Sequence, residues 1–239
     1  MEIVEGIVLK TSDYRENSKI LQVLTKEHGL IGIYLKGANN YRNKSFALAQ
    51  PITHALFTIY YKTGLSSCFK GEIINNFNSL KIDIEKNVYL YHLFELLLKN
   101  LEQHQEINYL FNLILKLVIR MEEASLKDVK IFTLYFELQL LTYLGVAPVL
   151  SNCVECGSTS QITNFDITKG GYICDKCNCS TLKSYAVETL QTLLYLKKLN
   201  IDEDIAISDE TLNELRHLMS DYYLYHLGVK TNSAKFFKS

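Results

Sequence analysis

The hydrophobic period of this chain changes near residue 80, and that change limits the fold more than any other feature. Before it, Ile, Val, Leu, Thr and aromatic residues gather in five short runs: Val4–Lys10, Lys19–Thr25, Leu30–Lys36, Thr53–Tyr61 and Leu65–Ile74. Ile31, Ile33 and Leu35 alternate with smaller or more polar neighbours, as in a strand buried on one face. Glu27-His28-Gly29 and Lys62-Thr63-Gly64 read as tight turns, and Gly37–Ser45 as a longer polar loop. Five strands in so short a segment predict a small closed barrel of the OB type, although periodicity alone also admits a sandwich fragment.

Beyond Lys81 the period is helical. Helices are expected over Ile84–Leu101, Ile107–Met121 and Leu126–Leu144, the last ended by Gly145 and Pro148. Between Ile131 and Leu141 that third helix is apolar on every side except for Glu137 and Gln139, which places it inside a bundle. After an interruption from Leu150 to Thr181, helices resume at Val187–Leu199 and again behind Ser208. The final helix carries Leu212, Leu215, Met219, Tyr222 and His226 as one stripe. The expected class is therefore α+β. A five-stranded OB-fold barrel at residues 1–79 precedes an α-helical domain at 80–239, with an insertion at 150–181. With 48% of its 239 residues apolar and 21% charged, the chain can fill such a core.

The insertion holds the most specific chemistry, Cys153-x2-Cys156-x17-Cys174-x2-Cys177. Two CxxC pairs on two turns bring four thiolates to one tetrahedral centre, the pattern of a zinc ribbon. Gly157 follows the first pair and Asn178 the second, both residue types that tolerate the left-handed turn of a knuckle. Four protein ligands leave no open position, so the expected cofactor is one structural Zn2+. Cys179 is a further thiol able to compete, and Cys68 is expected to be a small buried apolar residue.

The net charge is only −1, but residues 10–70 hold nine Lys/Arg against three Asp/Glu, a local balance of +6. A basic front half on a neutral chain points to a polyanion. Within it, Lys36-Gly37-Ala38-Asn39-Asn40-Tyr41-Arg42-Asn43-Lys44-Ser45 resembles a phosphate-binding P-loop only faintly, because Asn43 stands where Gly must precede the Lys. It reads better as a mobile basic loop between strands that faces a polyanion, the alternative being a merely solvated loop. Lys36, Arg42 and Lys44 would meet phosphates and Tyr41 a base, with Lys10 and Arg15 added from the same segment. Tyr34, Tyr60, Tyr61 and Phe69 lie in expected strands; sheet aromatics can serve as base-stacking platforms but are more often core, and core is the preferred reading. No HExxH, nucleophile elbow or catalytic acid pair occurs, so no enzyme is expected. No secretory leader is evident and no apolar stretch is long enough to span a bilayer, so a cytoplasmic, nucleoid-associated protein is expected.

Several segments together carry a family resemblance. Glu5-Gly6-Ile7-Val8-Leu9-Lys10, Tyr14-Arg15-Glu16-Asn17, Leu24-Thr25-Lys26-Glu27-His28-Gly29, Lys36-Gly37-Ala38 and Gln50-Pro51 resemble the N-terminal half of the bacterial RecO family. Leu144-Gly145-Val146-Ala147-Pro148-Val149-Leu150, leading into the cysteines, resembles its zinc-bearing branch, and Tyr222–Phe236 resembles its ending. The resemblance implies a recombination mediator in DNA repair that binds single- and double-stranded DNA and anneals complementary strands without ATP. It also implies RecR and the C-terminal tail of single-strand-binding protein as partners, and help in loading RecA. For that acidic tail the sequence offers Lys116 with Arg120, four apart on one helix face. The second candidate is the C-terminal stretch with Lys230, Lys235, Lys238, Phe236 and Phe237. The alternative is a zinc-ribbon adaptor that joins proteins without touching DNA.

Overall fold

In the computed structural model, described for residues 1–237 apart from 104, 106, 180, 202 and 204, the front half is a closed five-stranded barrel. Its strands are β1 (Glu2–Tyr14), β2 (Ser18–Thr25), β3 (Gly29–Lys36), β4 (His54–Tyr60) and β5 (Leu65–Asn75), with a short helix α1 (Lys44–Leu48) between β3 and β4. The neighbour order is β1-β2-β3-β5-β4, with β4 returning to β1. All pairs are antiparallel except β3 and β5, which run parallel over Gly32–Tyr34 and Leu65–Ser67. This is the OB-type barrel that the five apolar runs predict.

Closure depends on β1. Its first half pairs with β4 and its second half with β2, and a bulge between Val8 and Lys10 lets it turn from one to the other. Alternate residues fill the interior: Val4, Val8, Leu21, Val23, Ile31, Ile33, Phe57 and Ile59 are all fully buried there. One end is stopped by α1, which is capped by Asn43 accepting from the Ser45 amide at 3.0 Å and which inserts Leu48 and Ala49 into the same core. The polar loop expected at Gly37–Ser45 is therefore shorter than expected, because Lys44 and Ser45 already belong to this helix. Asn43 supplies the cap that a five-residue helix needs, a signal hidden by the polarity of the whole stretch.

Gly71 on β5 explains how α1 sits so close. A Cβ there would lie 2.1 Å from Leu48 Cδ2 and 2.9 Å from Cδ1. Leu48 is buried and has little room to move, so Gly71→Ala should overpack this end of the barrel and cost roughly 1–3 kcal/mol. The check is a lower denaturant midpoint with unchanged metal content.

Two compact units divide the chain, Met1–Ser125 and Leu126–Ser239. The first adds α2 (Asn78–Ile82), α3 (Ile84–Asn100) and α4 (Asn108–Glu123) to the barrel. Asp83 caps α3 by accepting from the Lys86 amide at 3.1 Å. Lys81 reaches from α2 to Thr53 Oγ1 (2.8 Å) and Asn76 Oδ1 (2.5 Å), and burial pulls its ammonium pKa down to about 8. On the outer face of the barrel, Ile7, Leu24 and Leu30 form one cross-strand row through β1, β2 and β3. All three are buried, because α3 packs on β1 and Gln103 bridges to Gly29 and Leu30.

The second unit contains α5 (Leu126–Tyr143), a two-stranded hairpin of β6 (Ile162–Asp166) and β7 (Gly171–Cys174), α6 (Val187–Lys198) and α7 (Asp209–Leu227). As its all-round apolar pattern predicts, α5 is buried along Ile131–Leu138, Glu137 included. Arg216 donates to Glu137 Oε1 at 2.6 Å, and Tyr223 donates its hydroxyl to the Glu137 carbonyl at 2.8 Å. A buried carboxylate needs such a cation, and removing one partner of a buried pair costs about 3–5 kcal/mol. Ser208 caps α7 through the Thr211 amide, and Leu212, Leu215, Met219 and Tyr222 form its buried stripe.

Candidate metal centre and nucleic-acid interface

The four paired cysteines meet. Their sulfurs all lie within 4.8 Å of one another, with Cys156 and Cys174 3.6 Å apart. Thiolates about 2.3 Å from a tetrahedral metal stand roughly 3.8 Å apart, so the donor set suits a metal ion. Two backbone knuckles produce this spacing. In the first, Cys153 N donates to Ser158 O at 2.7 Å and Gly157 N to Cys153 O at 2.9 Å, with Gly157 at φ +76°. In the second, Cys177 N and Asn178 N both donate to Cys174 O, at 3.1 and 2.9 Å. Asn178 does not adopt the left-handed conformation expected of it. Its side chain instead accepts from Asn164 Nδ2 at 3.1 Å, tying the second knuckle to β6.

Burial opposes charge on Cys153, but amides at Cys174, Cys156 and Glu155 directed at its sulfur bring its pKa down to about 6. Cys177, crowded by the other three thiols, is pushed up to about 12. Cys179 is exposed, lies 3.2 Å from Thr181 Oγ1 and is not one of the four. Cys68 is half-buried, less than expected, with its thiol pushed up to about 11 by burial.

The hairpin is fixed to its unit by polar and aromatic contacts. Tyr172 donates to Leu190 O on α6, and His226 meets Ile167 O at 2.7 Å. Phe165 lies edge-on to Tyr172, Tyr185 and Tyr222. The turn is closed by Asp166, which accepts from Thr168 N, Thr168 Oγ1 and Lys169 N. Burial works against the Asp166 charge, yet these donors hold its pKa below the ordinary value.

At the barrel, the basic candidates fall mainly at one end. Lys36 closes β3 opposite Ser18, and Asn39 Nδ2 donates to Glu16 O at 3.2 Å, which ties the basic loop to the β1–β2 turn. Arg15 occupies that turn at φ +56°, its guanidinium 5.2 Å from the Tyr14 ring. Tyr14 in turn meets Tyr34 edge-on at 5.8 Å. Lys36, Tyr41, Arg42 and Lys44 are all exposed. Arg42 lies over the Tyr41 ring at 5.5 Å and donates Nε to its hydroxyl at 3.2 Å, so these two side chains engage each other. Lys10 is exposed on β1 opposite Gln22, just past the bulge.

The aromatic assignment needs correction. Tyr61 does pack against the barrel core and stacks on His28 at 4.0 Å, and Tyr34 is half-buried with its hydroxyl 2.9 Å from Ser18. Tyr60 and Phe69, however, are 52% and 70% exposed. Ala55, Phe57 and Ile59 point inward, so strand alternation turns Tyr60 out. Phe69 is the extra residue of a bulge, because Thr58 pairs with Lys70 while Ile59 pairs with Cys68. Alternation could have shown the first; nothing in the sequence marks the bulge.

On α4, Lys116 is exposed and Arg120 half-buried, with Ile119 exposed between them. At the C-terminus, Phe237 lies against Arg216 at 5.2 Å, Phe236 is exposed and Lys230 and Lys235 face solvent, while Lys238 falls outside the described residues. Among the described residues no helix is long and apolar enough to cross a membrane.

The sequence that forms this barrel, its helices and the cysteine module matches known proteins. Residues 1–77 match the family model described as recombination protein O N terminal, and residues 82–235 the model for its C terminal part. The chain is 32% identical over 238 residues to the protein named DNA repair protein RecO from Bacillus pumilus, covering 97% of this chain and 91% of that one. It is 31% identical over 242 residues to the protein of the same name from Listeria monocytogenes, covering 100% and 94%. With Bacillus velezensis RecO the identity is 30%, covering 97% and 92%. The chain belongs to the recombination protein O family.

Proposed function

We propose that this protein is a non-enzymatic recombination mediator in DNA repair. It binds single- and double-stranded DNA through a domain at residues 1–79, anneals complementary strands without ATP, and works with RecR and single-strand-binding protein to help load RecA. The observation that carries this reading is the family match along nearly the whole chain. The exposed cations gathered at one barrel end supply a physical means of holding phosphate. The metal is inferred to be zinc, since four soft thiolates in a closed tetrahedral set suit Zn2+. Held by Cys153, Cys156, Cys174 and Cys177, it would act as a cross-link for the insertion at 150–181 within the domain at 80–239. Such a protein works in the cytoplasm at the nucleoid. Equilibrium binding to single strands and duplex at several salt concentrations tests the reading. Affinity that falls with salt supports the mediator, and no DNA binding assigns the chain to the zinc-ribbon adaptor class.

For single-strand-binding protein, the proposed contact is the Lys116/Arg120 face of α4. A rigid helix presents two cations at lower ordering cost than a chain terminus. Titration with a labelled acidic tail peptide should show Lys116→Ala/Arg120→Ala weakening binding more than truncation after Asn232, with zinc content unchanged. Wild-type binding by both variants would exclude both surfaces.

A further inference from the structure

We propose that unpaired bases of a single strand stack on Tyr60 and Phe69, on the outer face of β4 and β5, so that this face separates single strands from duplex. The inference rests on the nucleic-acid reading of the barrel and adds to it a contact that recognises bases instead of phosphates.

The outer surface of the barrel is unevenly covered. Across β1, β2 and β3 the row Ile7–Leu24–Leu30 is buried beneath α3 and the segment around Gln103. Where β4 ends and β5 bulges the outward residues Tyr60, Phe69 and Lys70 are exposed, beside half-buried Thr58 and Ser67, and they include two large rings. Tyr60 pairs with Ser67, and Phe69 lies two residues further along β5. The rings are therefore diagonal neighbours on one face. A Phe exposed to 70% is costly to leave in water, and a bulge that forces it outward is the kind of local device found where a side chain must be re-aimed.

Charge decides the occupant. Lys70 shares the bulge with Phe69, and Lys62 follows Tyr60 by two residues; both are exposed. The parallel pairing of β3 with β5 ends at Tyr34 and Ser67, and Lys36 and Phe69 each stand two residues beyond that couple. The aromatic face thus adjoins the strand end from which the basic loop departs. Of the nearby acids, Glu2 is engaged with His28 at 3.2 Å, and Glu72 lies one outward position further along β5, opposite Leu56. Rings beside cations fit an unpaired strand, whose bases offer π-faces and whose phosphates carry charge; a duplex keeps those faces stacked within itself.

The chain contains no tryptophan, so Phe69→Trp creates a single reporter. Its fluorescence should be quenched by oligo-dT and left unchanged by a blunt duplex, with wild-type affinity because the ring is retained. Tyr60→Ala/Phe69→Ala should weaken single-strand binding roughly 10- to 100-fold, leave duplex binding within about twofold, and keep the salt slope, since no phosphate contact is lost. Both positions are exposed, so folding should survive, as thermal unfolding would verify. Unchanged single-strand affinity in the double alanine variant overturns the stacking face while leaving DNA binding by the basic loop intact. A wild-type protein that binds no DNA overturns both. If the double variant instead changes the oligomeric state in sedimentation and binds DNA normally, the face joins copies of the chain and the inference is wrong.

Discussion

Purified protein is expected to carry about one zinc per chain, and Cys153→Ser/Cys174→Ser to carry almost none. The reason lies in how little else holds the two cysteine knuckles together. Strands of five and four residues form a single hairpin, which is marginal by itself in water. The cluster around the thiols is Cys153, Ile173 and Cys174, with Val154, Ile162 and Leu182 partly covering it, so two of its three buried residues are themselves proposed metal ligands. Structural zinc contributes on the order of 10 kcal/mol in comparable small modules, far more than this core can replace. Chelation should therefore unfold residues 150–181. The damage should spread to the second unit, because Phe165 and Tyr172 pack on its helices through Tyr222 and Leu190. Cys179→Ser should keep its zinc, since that sulfur stands outside the cluster. Full zinc content in the double serine variant would remove the assignment.

A second large effect is expected from salt. With ~3–5 phosphate contacts, log affinity for a single strand should fall against log salt with a slope of about −2 to −3.5. Between 50 and 200 mM salt that is a loss of roughly 20- to 100-fold. Replacing Lys36, Arg42 and Lys44 by Ala should flatten the slope by ~0.7 for each true contact, without favouring any sequence. Lys36 and Lys44 should account for most of the change, because Arg42 must first leave the Tyr41 ring. An unchanged slope in the triple variant would move the phosphate contacts elsewhere on the protein.

What the sequence made legible follows from which signals are local. The barrel strands and the long helices announce themselves by period, and the four cysteines by spacing, because each pattern is a direct projection of geometry onto the chain. The hairpin β6–β7 was concealed within the insertion. Its strands are short, and Asp166, Thr168 and Lys169 form the turn through side-chain hydrogen bonds that no apolar period reports. The helix α1 was likewise hidden, since its five residues complete barely more than a turn. The outward Phe69 depends on a bulge, a relation between two strands that neither strand reveals alone. The candidate interface was thus partly legible: its cations could be read from composition, but the uncovered aromatic face could be found only once the packing of α3 on β1 was known.

The measurement that tests the central claim most directly is strand annealing on complementary oligonucleotides already coated with single-strand-binding protein, with ATP omitted. The mediator predicts duplex formation well above the uncatalysed rate, unaffected by adding ATP and reduced in the Lys36→Ala/Arg42→Ala/Lys44→Ala variant. Duplex formation no faster than without the protein, although the bare strands bind it, would contradict the mediator reading.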